Sequence, residues 1–167
     1  MHLLDTDVVY ELRNAKSGGA DPGLTAWAAG VARGGLYISA VSLLELETGA
    51  ARVERKDKAG GLALRAWLDG QLGPAFEGRI LPVDAAVVRR CAQLSQGGGG
   101  GRDALLAATA LEHGLTLVTR DIAAFKAMRV KLFNPWGYVP DASGDDEDWG
   151  QAAKAGSFWL KNIFVRG

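Results

Sequence analysis

Through the first 140 residues, short apolar runs alternate with longer stretches of helical periodicity, and this alternation constrains the fold more than any other feature. The short runs are residues 2–6 (HLLDT), 36–39 (LYIS), 79–83 (RILPV), 115–119 (LTLVT) and 130–133 (VKLF). Between them, residues 24–31, 42–55, 62–76, 85–96 and 103–113 carry apolar side chains at helical spacing. Ser42 with Glu45 three residues on has capping-box spacing. Asp84 is placed to cap residues 85–96, a helix in which Ala85, Val88, Ala92 and Ser95 share one face. Gly114 stops the helix that Asp103 opens, and Asn134-Pro135 ends the last run. Strands alternating with helices predict an α/β three-layer sandwich with a short central parallel sheet. A chain of 167 residues has room for one well-filled domain, expected over residues 1–140.

Several classes drop out early. No stretch of about 18 apolar residues is free of charge, so no membrane span is expected. The opening MHLLDTDVV lacks a basic segment followed by a long apolar one, so it does not read as a signal peptide. The single cysteine, Cys91, cannot form an internal disulfide, and a cytoplasmic location is expected. Net charge is zero, but residues 141–167 hold five acids against three bases, which leaves +2 for residues 1–140. Any nucleic-acid contact must therefore use a local basic patch.

Four carboxylates fall where a parallel sheet would gather them. Asp5 follows the first run and Asp121 lies two residues past Thr119, both near the carboxyl ends of strands, where open α/β sheets bind ligands. Glu45 and Asp103 sit in first turns of helices, each inside an apolar stretch. Acids forced together resist ionisation unless a cation neutralises them, and oxygen ligands of this kind suit Mg²⁺ or Mn²⁺. Such ions activate water and stabilise charge on a scissile phosphate. Each acid also has a plainer reading: Asp103 as a helix cap, Glu45 as a capping-box glutamate, Asp121 as a turn cap. Asp5, set in an apolar run, is the hardest to explain without a partner.

The segments LLDTDVV, SAVSLLELETG, RDALLAATALEHGLTLVTRDIAAF and VKLFNPW resemble the PIN domain, and specifically VapC-type toxins, over residues 1 to about 139. The resemblance implies a PIN-like fold and a metal-dependent endoribonuclease, usually a homodimer, blocked by a VapB antitoxin. Its acids fall on Asp5, Glu45, Asp103 and Asp121, as catalytic residues and ligands of Mg²⁺ or Mn²⁺. Thr6, Asp7 and Thr119 match supporting positions around the pocket. Five glycines at 97–101 replace the side chains that the family carries before its third acid; beside them, Arg102 reads as a solvated surface arginine, with a phosphate contact as the alternative.

After an acidic linker over 141–148, residues 149–167 carry large apolar side chains but too few to bury a core of their own. This tail resembles the inhibitory segment of a VapB antitoxin. Trp149, Phe158, Trp159 and Phe164 would be its anchors, and Arg166, then Lys161, its cation for the acidic pocket. The plainer alternative is a helix or strand of the domain itself, or a dimerisation arm. His2 and His113 lack partners at useful spacing and read as structural. Cys91, Met128, Trp67 and Trp27 read as packing residues, Trp27 alternatively at a dimer surface. The rival functions are a DNA-directed nuclease of the same fold, a nucleic-acid-binding module without catalysis, and a receiver-like Mg²⁺ domain.

Overall fold

The computed structural model describes residues 1–95 and 101–140. Residues 97–100 of the glycine run, the linker 141–148, and the tail with Trp149, Phe158, Trp159, Lys161, Phe164 and Arg166 lie outside the described residues.

Five short strands, β1 (His2–Leu4), β2 (Leu36–Ser39), β3 (Ile80–Leu81), β4 (Thr116–Val118) and β5 (Leu132–Phe133), form one parallel sheet in the order β3-β2-β1-β4-β5. Parallel strands bury both faces, and their side chains divide by parity. Leu4, Ile38, Val118 and Phe133 face one core, while Leu3, Tyr37, Leu117 and Leu132 face the other. The first core is closed by α1 (Thr6–Arg13), α2 (Pro22–Gly30), α3 (Ala40–Lys56) and α4 (Lys58–Trp67). From α4 the chain runs through a π turn (Leu68–Leu72) into α5 (Gly73–Ala75). The second core lies under α6 (Ala85–Ser95), α7 (Arg102–Glu112) and α8 (Ile122–Phe125). The three-layer sandwich expected from the alternation is thus the one formed.

The order of strands fixes the site. β1 is central, β2 and β3 lie to one side of it, and β4 and β5 lie to the other. The helix after β1 packs on one face and the helix after β4 on the opposite face. That divergence opens a crevice at the carboxyl ends of β1 and β4.

Local sequence explains most helix boundaries. Asp21 accepts from the Leu24 amide at 3.0 Å, with Pro22 opening α2. Asp84 accepts from the amides of Ala86 and Val87 at 2.9 Å, as its spacing predicts. Gly114, at φ +63°, takes the left-handed conformation that ends α7. α3 and α4 cross closely at Gly61, where a Cβ would run into the backbone of Glu54.

The start of α3 is corrected, and one helix, α1, was not foreseen. Asp5 is followed at once by a helix, α1, where the sequence showed only a polar end to the first run. α3 begins three residues earlier than its capping-box spacing suggested: Ser39 is the cap, accepting from the Val41 amide at 3.1 Å. Ser42 is buried instead, its hydroxyl toward the Leu4 carbonyl at 3.5 Å, and Glu45 falls in the second turn, free of capping duty. On α6 the face with Ala85, Val88, Ala92 and Ser95 is exposed; Val87, Cys91 and Leu94 turn inward, because they hold the larger apolar surface. Trp27, Trp67 and Met128 are buried, so Trp27 belongs to the core and not to an outer surface. His2 packs edge-on against Trp27, with ring centroids 5.3 Å apart.

Candidate active site

Asp5 stands where β1 gives way to α1, and it is held from two sides. Its Oδ1 accepts from the Thr6 amide at 2.7 Å, and its Oδ2 accepts from the Thr119 hydroxyl at 2.8 Å. Thr119, fully buried at the end of β4, also accepts from the Asp121 amide at 3.1 Å. One hydroxyl thus ties the ends of the two central strands together. Thr6 does the same toward α3, donating its hydroxyl to Glu45 in a short hydrogen bond. Glu45 is largely buried, and its other oxygen is ion-paired with Arg102 at the start of α7.

Electrostatics places Asp103 beside this group. Burial pushes the Asp5 carboxyl above its ordinary range. The Thr119 and Thr6 donors work against that rise, the charge of Asp103 adds to it, and Arg102 offsets it. Asp7 is pushed up to about 6, first by burial and then by the charge of Asp5. The amides of Arg120 and Val8, which Asp7 accepts from at 3.2 and 2.6 Å, limit that shift.

The structure therefore gathers Asp5, Glu45 and Asp103, with Thr6, Asp7 and Thr119 around them. Asp121 is exposed and joins through its backbone; its carboxylate accepts from the Ala124 amide at 3.1 Å and caps α8. Asp103 is likewise exposed but does not cap α7, whose cap position is Gly101. Among the described residues, no three acidic, histidine or cysteine side chains yet converge into a finished ligand shell. The donor chemistry fits a hard divalent cation all the same: carboxylates and hydroxyls, with a carboxyl raised by burial and by a neighbouring acid. Arg102 is the residue whose part the sequence concealed. It is exposed, as read, and it is also the cation that balances Glu45, a pairing between side chains 57 positions apart that no local pattern encodes.

A short parallel sheet sandwiched by helices, with acids at its switch point, defines a nuclease-like α/β domain. The chain belongs to the PIN-domain family, which matches residues 2–131, and within it to the VapC-type ribonuclease toxins of toxin–antitoxin systems. It is 34% identical over 142 residues to VapC ribonuclease Y4jK of Sinorhizobium fredii, a match covering 81% of this chain and 98% of that protein. It is 36% identical over 142 residues to Toxin FitB of Neisseria gonorrhoeae, covering 81% and 99%. The crystal structure of FitAcB from Neisseria gonorrhoeae superposes with a TM-score of 0.71 at 34% identity, over 81% of this chain and 99% of that one. Among solved relatives are toxin–antitoxin complexes, including a FitAB structure bound to a DNA fragment. Among the described residues no helix is long and apolar enough to cross a membrane.

Proposed function

We propose that this domain cuts RNA phosphodiester bonds at the acids gathered at the ends of β1 and β4, as a cytoplasmic homodimer restrained by a VapB-like antitoxin. The observation that carries the reading is Asp5, half-buried, raised by its surroundings, and held by two donors beside Asp103 and Glu45. So costly an arrangement serves a cation better than it serves the fold.

Asp5, Asp103 and Asp121 would hold Mg²⁺ or Mn²⁺, with Glu45 direct or through water. When bound, the ion supplies charge neutralisation and Lewis acidity toward the phosphodiester. The chain's own groups do the positioning. Thr119 and the Thr6 amide fix the plane of the Asp5 carboxylate. The Thr6 hydroxyl fixes Glu45, and Arg102 balances that glutamate within the acidic pocket. Asp7, raised to about 6, takes up a proton and so relieves the negative charge crowded around Asp5 only as pH falls toward that value.

Residues 149–167 are proposed as an inhibitory segment on their make-up: aromatic anchors with Lys161 and Arg166, following the acidic linker 141–148. About a fifth of this chain lies outside its matches to Y4jK and FitB, although those proteins are covered almost entirely. Tethering would hold such a segment at an effective concentration on the order of millimolar.

The test is cleavage of end-labelled RNA, with DNA of the same sequence alongside, by the full chain, the Asp5→Asn variant and a chain ending at Pro140. RNA should be cut with Mg²⁺ or Mn²⁺, stop being cut in EDTA, and remain uncut by Asp5→Asn at unchanged thermal stability. The shortened chain should cut faster than the full one. Full activity in Asp5→Asn would remove the central claim, preference for DNA would replace the substrate, and equal rates with and without residues 141–167 would reduce the tail to structure.

A further inference from the structure

The face of α3 that carries Glu45 continues past the acids into a different kind of site. Glu45, Thr48, Gly49 and Arg52 follow one another at helical spacing on one side of α3. Together with Leu44 and Arg102 they line a cavity of about 220 Å³. Two guanidinium groups and a hydroxyl border this cavity, against a single acid. That acid is already balanced, because Glu45 pairs with Arg102 and accepts from Thr6. Arg52 and Thr48 are exposed, and among the described residues neither has a hydrogen-bond or ion-pair partner. An acid one turn away on the same helix would stabilise an exposed arginine. Here the position one turn before Arg52 is Thr48 and the position one turn after is Lys56, so the helix supplies no counter-charge.

We propose that Arg52, with Thr48 and Arg102, binds an RNA backbone phosphate next to the one being cut and so sets the register of the strand. The inference rests on the ribonuclease reading and extends it to how the substrate is held. Four considerations favour a phosphate. The free groups are donors only or hydroxyls, which suits an acceptor-rich anion. Gly49 lines the cavity without a side chain, which leaves that part of the wall open to an approaching phosphate. Seven residues of helix from Glu45 to Arg52 advance about 10 Å, so Arg52 meets a phosphate roughly one or two nucleotides from the scissile one. The overall charge of residues 1–140 is small, so a local pair of arginines can steer the strand where net charge cannot.

Arg52 is a positioning residue, so its test reads binding and salt dependence as well as rate. Anisotropy of a labelled single-stranded RNA is followed against salt, in EDTA, for the full-length wild type, Arg52→Gln and Arg52→Lys. The exposed position makes misfolding of either variant a poor explanation, and circular dichroism checks it. Arg52→Gln should bind about tenfold more weakly near physiological salt. Its log–log salt slope should be shallower by about 0.7, the loss of one phosphate contact on a single strand. Arg52→Lys should recover the slope, since charge sets it, but only part of the affinity, which needs the guanidinium fork. With Mg²⁺ present, Arg52→Gln should raise KM with little change in kcat, and its cut sites should spread to neighbouring positions. An unchanged slope and unchanged cut sites in Arg52→Gln overturn the assignment while leaving the nuclease intact. Failure of both the wild type and the chain ending at Pro140 to bind or cut RNA overturns the ribonuclease reading, and this site with it.

Discussion

Thr119→Val is the sharpest probe of how the site is built, since it changes one buried hydroxyl to a methyl of nearly the same shape. The hydroxyl donates to Asp5 at 2.8 Å and accepts from the Asp121 amide at 3.1 Å. Losing a donor to a half-buried carboxylate costs about 1.5–3 kcal/mol. The Asp121 amide lies near solvent, so water replaces its lost acceptor at small cost. Burying the new methyl returns about 0.8 kcal/mol. The net expectation is a loss of roughly 1–2 kcal/mol. With an m-value of about 2 kcal/mol/M, the urea midpoint should fall by about 0.5–1 M. Activity should fall further, about 10–100-fold, the usual effect of removing a group that orients a metal ligand. Thr119→Ser separates the two roles, because it keeps the hydroxyl and loses only a methyl. Its stability should fall by about 1 kcal/mol while its RNA cleavage stays close to wild type. If the valine variant cuts RNA as well as wild type, or if serine loses as much activity as valine, then Thr119 packs the strand end and does not orient Asp5.

Two further outcomes follow from packing and charge. Gly61→Ala should lower stability by about 1–3 kcal/mol, measured by urea denaturation, despite the better helix propensity of alanine, because its Cβ meets the Glu54 backbone and not a movable side chain; an unchanged or raised midpoint would mean that the α3–α4 crossing is looser than the structure has it. His2 should make the fold less stable toward acid: burial and the neighbouring N-terminal charge lower its pKa below the ordinary value of 6.5, so between the two values the unfolded chain binds the proton that the folded one refuses, and stability falls as pH drops below about 6.5. His2→Phe, which keeps a ring against Trp27, should lose less stability than wild type between about pH 7 and pH 5, and parallel losses in the two proteins would refute that origin.

Much of this protein was legible without coordinates. The runs at 36–39 and 115–119 contained β2 and β4, and Gly114 marked the end of α7, because strand burial and left-handed turns leave strong local signatures. The acids at strand ends could be picked out for the same reason: a carboxylate inside an apolar run is anomalous wherever it occurs. The α3 start was misread because Ser39 and Ser42 are both good caps, and only the burial of Ser42 against Leu4 decides between them. The buried face of α6 was not legible, because a helix with apolar residues on two sides does not say which one meets the core.

What the sequence determined by itself was the alternating α/β pattern and which acids are candidates for the site, since both depend on residue type and near-neighbour spacing. The tertiary structure alone decided how those acids are held. Thr119 reaches Asp5 across 114 residues, Thr6 reaches Glu45 across 39, and Arg102 balances Glu45 across 57. Contacts of that span are set by strand order and helix crossing, which bring the ends of β1 and β4 and the starts of α3 and α7 to one crevice. No local propensity encodes such a meeting, because its free energy comes from burying the sheet between two helical layers and not from any segment alone.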